Sequence, residues 1–207
     1  LGVIGPTGTK ATFQSAVNAR NSPFVSWIPV EDSPNLPLEI AAAGAALYCA
    51  RQSAQPGTPM RGRILSGIRA GQGAAWTGAD NNNTILAGGS TIKMNTDGTV
   101  QMVDFATTYK TNASGAVDDT YRFTNWLGNW QYKLYSLDTM SNSDPFIDAI
   151  VVDDASPAGV SYAVSAKTVK SYVVALIRGL WAPMGLTKNV DDVVKGVKVE
   201  VDATNAG

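Results

Sequence analysis

With 207 residues, 44% of them apolar and only 16% charged, the chain has the composition of a folded globular protein and can bury one sizeable core. Sixteen basic and seventeen acidic residues nearly cancel, which argues against whole-surface attraction to nucleic acid or to an anionic membrane. No histidine occurs, so Ser-His-Asp and Cys-His machinery, imidazole metal sites and imidazole acid–base chemistry are excluded together.

One cysteine, Cys49, leaves no internal disulfide framework; set in an Ala-rich run, it reads as a core residue. No run of about 18 apolar residues is present, and the start lacks a basic region followed by an apolar stretch, so neither a spanning helix nor a signal peptide is expected. The first residue is Leu1 rather than Met, which reads as a fragment of a longer protein.

Along the chain, residues 1–20 predict a short strand, a Gly/Pro turn and a helix whose N-cap is Thr9. "FVSWIPV" (24–30) reads as a buried strand. Residues 37–52 read as a helix with proline in its first turn and Ile40, Gly44, Leu47 and Arg51 on a recurring face. The small residues from Ala41 to Ala46 would let that helix approach a neighbour closely. Residues 53–83 are rich in Gly, Pro and Asn and read as loop, with a strand near Ile64 and one short helical turn before Leu86.

Residues 90–109 carry the clearest local signal, two strand-like runs joined by Asp97-Gly98, a dipeptide suited to a tight hairpin turn. Phe123, Leu127, Trp130, Leu134 and Leu137 then recur at spacings of four and three, which predicts one buried stripe of a long helix. "FIDAIVV" follows as a strand or short helix. Val169, Tyr172, Val173, Leu176 and Leu180 make a second amphipathic helix stopped by Pro183 and Gly185, and the tail "VKGVKVEV" alternates like a strand. Interleaved strands and helices give an α/β class, with α+β as the alternative: a mixed sheet with flanking helices and a β-hairpin, in a single domain spanning 1–207.

The candidate sites are weak by their own spacing. Asp118 and Asp119 lack the alternating carboxylates, central Gly and closing Glu of a calcium loop. Adjacent residues also point apart, so they make no facing acid–base pair. They read as structural caps of the following helix, with Asp118 reaching Arg122 one turn on. Asp153-Asp154 and Asp191-Asp192 repeat the pattern.

"GVIGPTGTK" (2–10) resembles a phosphate loop only loosely, because Thr9 rather than Gly precedes Lys10 and Ala11 rather than a hydroxyl follows it. "STIK" (90–93) fits a Ser-x-x-Lys nucleophile motif in letters alone, since that motif needs a helix and these residues sit in a strand. Arg51, Arg61, Arg63 and Arg69 form a basic run with no acid between Glu39 and Asp80. Without an aromatic stacking platform it reads as a surface that meets an acidic protein neighbour, or as plain solvated surface, rather than as a nucleic-acid site. Trp27, Trp76, Trp126 and Trp130 read as mostly core, with Trp76 in its Gly-rich loop also a candidate partner anchor.

Taken in order, "GVIGPTGTKA", "NSPFVSWIPV", "PLEIAAAGAAL", "NNNTILAGGSTI", "TDGTVQMV" and "ATTYKTNASGAVDDTY" resemble the contractile tail sheath proteins of phages, in their Mu-like branch. The resemblance spans nearly all of residues 1–200. It departs from the family at Asp104, where a basic residue usually precedes "TTY". The resemblance implies a structural protein and no enzyme, with no cofactor and no metal. Its subunits polymerise into a helical sleeve around a tail tube, are linked by exchanged terminal arms, and contract to drive injection.

Under this reading the chain is the core domain without those arms. Its partners would be other sheath subunits and the tube protein, with no membrane and no nucleic acid, in a virion assembled in the host cytoplasm. Two alternatives stay open. One is a nucleic-acid or tail-adaptor binding module resting on Arg51 to Arg69. The other is a hydrolase, for which the sequence offers no G-x-S-x-G elbow.

Overall fold

The computed structural model describes residues 1–5, 8–71, 76–152, 154 and 163–200. The class is α/β, with parallel and antiparallel pairings and no barrel among the described residues. The chain divides into two compact units, Leu1–Asn129 and Trp130–Gly207.

The first unit opens with β1 (Gly2–Ile4) and α1 (Lys10–Asn18). Thr9 caps α1 as the sequence predicts, its hydroxyl accepting from the Thr12 amide at 3.3 Å. Phe13 and Val17, one turn apart, carry the helix into the core. The next strand, β2 (Val25–Trp27), pairs in parallel with β1. Helix α2 (Pro37–Ala54) starts on Pro37, and the Glu39 carboxylate reaches back to the Leu36 amide at 2.9 Å. Its buried face runs through Ile40, Gly44 and Tyr48, so the aromatic takes the place expected for Leu47, while Leu47 and Arg51 are half-buried.

The small residues do bring α2 close to its neighbours. A Cβ on Gly44 would enter the Ile28 side chain, and one on Gly5 would lie 2.6 Å from the Ile40 Cβ. Cys49 is exposed, contrary to its reading as core: it directly follows Tyr48, about 100° further round the helix and off the buried stripe.

Beyond β3 (Ile64–Arg69) comes α3 (Gly78–Ala87), a full helix where the composition suggested loop and a single turn. Its start is a reciprocal cap. The Thr77 hydroxyl accepts from the Asp80 amide at 3.2 Å, and the Asp80 carboxylate accepts from the Thr77 amide at 2.8 Å. Gly88, at φ 93°, closes the other end.

The hairpin is where the sequence places it, with β4 (Thr91–Met94) and β5 (Thr99–Asp104) antiparallel and Met94 opposite Val100. Gly98, at φ 78°, supplies the left-handed turn residue, and the Asp97 carboxylate accepts from the Thr99 amide at 2.9 Å. Strand β3 pairs with the other side of β5 through a bulge, giving the order β3-β5-β4. The core gathers Phe13, Trp27, Ile28, Ile40, Leu65, Ile92 and Met102 with their neighbours.

Helix α4 (Thr124–Ser141) begins in the first unit and continues into the second. The second unit adds β6 (Ile150–Val152), parallel to β7 (Ala163–Ser165), and α5 (Ala166–Leu176), which runs on as a π-helical turn over Ile177–Trp181. Ile177, Trp181 and Leu186 form its core, and the Trp181 indole donates to the Ser136 hydroxyl at 2.8 Å.

The alternating tail does not form the expected strand. Residues Val190–Gly196 make α6, and nothing in 197–200 pairs as a strand. Val190, Val194 and Val197 recur at helical spacing and pack on the Ile177 cluster, which outweighs the local alternation. Asp191 and Asp192 sit in the first turn of α6 and Lys195 in its last, each on the favourable end of the helix dipole. Asp154 accepts from the Lys167 amide in the first turn of α5 at 2.9 Å, whereas Asp153 lies outside the described residues.

Candidate interaction surface

The basic run does not present four free charges. Arg61, in the α2–β3 connection, places a guanidinium nitrogen 2.9 Å from the Asp104 carboxylate at the end of β5. The residue that departs from the resembled family's pattern is therefore matched within this chain. Arg69, at the end of β3, donates to the Asp97 carbonyl across the hairpin turn at 3.1 Å. Arg51, in the last turn of α2, is half-buried, and its Nε has no hydrogen-bond partner among the described residues. Arg63 is exposed, its backbone carbonyl accepting from the Met102 amide at 2.8 Å.

Lys93 adds a cation that the linear reading overlooked. Lys93 and Ile64 both stand opposite Gln101, one on each side of β5, so all three share the sheet face away from Leu65, Ile92 and Met102. The signal was present in the sequence as strand alternation on either side of the Asp97-Gly98 turn.

Trp76 is not available as an anchor. It is buried, edge-on to Phe13 at 6.5 Å, with the Lys10 ammonium 5.7 Å from its ring. Lys10 itself pairs with Asp80 at 3.0 Å and lies 3.9 Å from Glu31, so the ammonium that a phosphate loop would need is held between carboxylates. The Thr77 amide and hydroxyl, joined by Lys10, hold the Asp80 carboxyl down to about 2. Trp126 and Trp130 are exposed rather than core. With Leu134 they form a second apolar stripe of α4, at spacings of four, beside the buried Leu127.

Asp118 and Asp119 do not cap α4, which starts five residues further on at Thr124. Instead, Asp118 closes its own turn, accepting from the Thr120 amide at 2.9 Å and the Thr120 hydroxyl at 2.6 Å. Its second oxygen accepts from the Tyr109 hydroxyl at 2.6 Å. These bonds, those of Thr120 foremost, lower the Asp118 carboxyl, and the same anion pushes the Tyr109 phenol up to about 12. Asp119 contributes its carbonyl to the Arg122 amide at 3.0 Å, and the expected ion pair from Asp118 to Arg122 is not formed.

Ser90 and Lys93 diverge as strand geometry requires: Ser90 is buried and Lys93 exposed. The Ser90 hydroxyl is engaged with Ser26 at 3.0 Å and with the Ala106 amide at 3.1 Å. Among the described residues no group of three or more acidic or cysteine side chains is placed to hold a metal, and no helix is long and apolar enough to cross a membrane.

No protein-family model matches the chain. Over 199 residues, 96% of its length, it is 22% identical to the Mu-like prophage FluMu tail sheath protein of Haemophilus influenzae. The chain spans 40% of that relative's length.

Proposed function

We propose that this chain is part of a structural subunit of a contractile phage tail sheath, a repeating protein that packs around a tail tube and rearranges to drive injection. The observation that carries the reading is the extent of the similarity: it runs over 96% of the chain to a protein named as a tail sheath, and the residue blocks from 2 to 121 follow the order expected of that family. The partners under this reading are further copies of the subunit and the tube protein, and the site of action is the virion tail.

A hydrolase gains no support from Ser90, whose hydroxyl is buried and bonded to Ser26. A nucleic-acid module gains none from Arg61 and Arg69, which are held by Asp104 and the Asp97 carbonyl. Immunogold labelling of tailed particles, with antibodies raised against this chain, tests the proposal. Label along the outside of the tail shaft is expected; label confined to heads, or to no particle at all, contradicts it.

A further inference from the structure

Charge is segregated along this sequence in a way that the near-zero total conceals. Between Glu39 and Asp80 there are four arginines and no acid, whereas residues 134–166 contain Asp138, Asp144, Asp148, Asp153 and Asp154 and neither Lys nor Arg. The first stretch frames the exposed face of the β3-β5-β4 sheet, where Ile64 is 51% exposed and Lys93 lies two strands across in the same row. Arg61, Arg63, Arg69 and Lys93 lie in or next to these strands; Arg61 pairs with Asp104 and Arg69 donates to the Asp97 carbonyl, while Arg63 and Lys93 are exposed. In the second stretch Asp138, Asp144 and Asp148 are exposed and no ion pair engages them among the described residues. Beside them Ile147 and Ile150 are 58% and 59% exposed. Each surface thus sets exposed isoleucine beside charged side chains, basic on the sheet and acidic on the 138–150 segment, and opposite charges favour contact.

We propose that the Ile64–Lys93 sheet face of one copy receives the acidic 138–150 segment of a second copy. The choice of a second copy as occupant rests on the reading of the chain as a repeating subunit; the charge pattern selects which faces meet. Because the two faces differ, the contact is heterologous and repeats head to tail, which generates a ring or an open helical array rather than a closed dimer. Exposed ion pairs hold weakly and are screened by salt, so the contact is weak, salt-sensitive and dependent on the opposite signs of the two faces.

The test uses sedimentation velocity over a concentration series with two double variants. R63E/K93E makes both faces acidic, and D144K/D148K makes both basic; Arg61 and Arg69 are left in place because they hold Asp104 and the Asp97 carbonyl. At low ionic strength the parent chain should show a sedimentation coefficient that rises with concentration. At about 1 M salt, where the Debye length is about 3 Å, the rise should vanish. Each variant alone should lose it, and an equimolar mixture should regain it.

Circular dichroism melts verify that the variants fold, with R63Q/K93Q as a milder replacement should the reversal not fold. A parent that stays monomeric, a variant that associates like the parent, or a mixture no larger than its components overturns the proposal. Sheath tubes formed by the variants would sink this contact and leave the sheath reading intact. Restored pairing without tubes in the full-length protein would do the reverse.

Discussion

Tyr109 donates its hydroxyl to Asp118 at 2.6 Å across the turn that separates β5 from α4. The bond explains why an aspartate pair that looks like a helix start lies five residues short of one. Asp118→Asn removes the anion that holds the phenol proton, so the Tyr109 phenol should fall from about 12 towards the ordinary tyrosine value of about 10. Ultraviolet titration of the variant against the parent should show one phenol, of seven tyrosines, moving into the ordinary range. Calcium should leave the melting temperature of the parent unchanged. A calcium-dependent rise that disappears in the variant would mean that the turn binds metal.

Among the described residues the Ala106 amide, deep in the first unit, donates to the Ser90 hydroxyl at 3.1 Å. Ser90→Ala strands that buried donor, and an unsatisfied buried group costs about 1–3 kcal/mol. Urea unfolding should show the loss as a lower midpoint with an unchanged slope. Stability equal to the parent's would mean that the hydroxyl does not hold these segments together.

Asp80 makes the acid limb of stability predictable in sign. Its carboxyl is lower in the folded chain than in the unfolded one, so its contribution is present above the ordinary aspartate range and is lost as pH falls towards about 2. Asp80→Asn should flatten the decline of melting temperature over that window and leave the curve above it parallel to the parent's. An identical acid limb in both proteins would contradict the assignment.

Gly44 sets how near α2 comes to Ile28 and to Val3, whose Cγ1 would lie 3.2 Å from an added Cβ. Gly44→Val overpacks this contact and should destabilise by about 1–3 kcal/mol, although valine is the better helix former. Ala42→Val, on the exposed side of the same helix, is the control and should stay within about 0.5 kcal/mol. Equal effects at the two positions would remove the close approach from the account.

What was legible in the sequence was local. Thr9, Pro37 and Asp97-Gly98 mark two helix starts and a hairpin through constraints that span a few residues, and all three stand where expected. Helix α3 was hidden because its Asn-rich interior favours loops, although Thr77 and Asp80 carried a capping signal three residues apart. Helix α4 holds apolar residues on two faces, and spacing alone did not tell buried Leu127 from exposed Trp130 and Leu134. The pairing of Arg61 was hidden for a different reason: Asp104 lies 43 residues away, and a pairing at that separation exists only once the sheet has formed. The same holds for Trp76, whose Gly-rich surroundings suggested a surface anchor until Phe13 and Lys10 were brought around it.

Negative-stain electron microscopy of the full-length gene product carrying these residues tests assembly into a sheath most directly. The sheath reading predicts hollow sleeves or contracted cylinders with a regular helical repeat, formed without nucleotide. Particles that remain monomeric or form only irregular aggregates, in low and in high salt and with tube protein present, would contradict it.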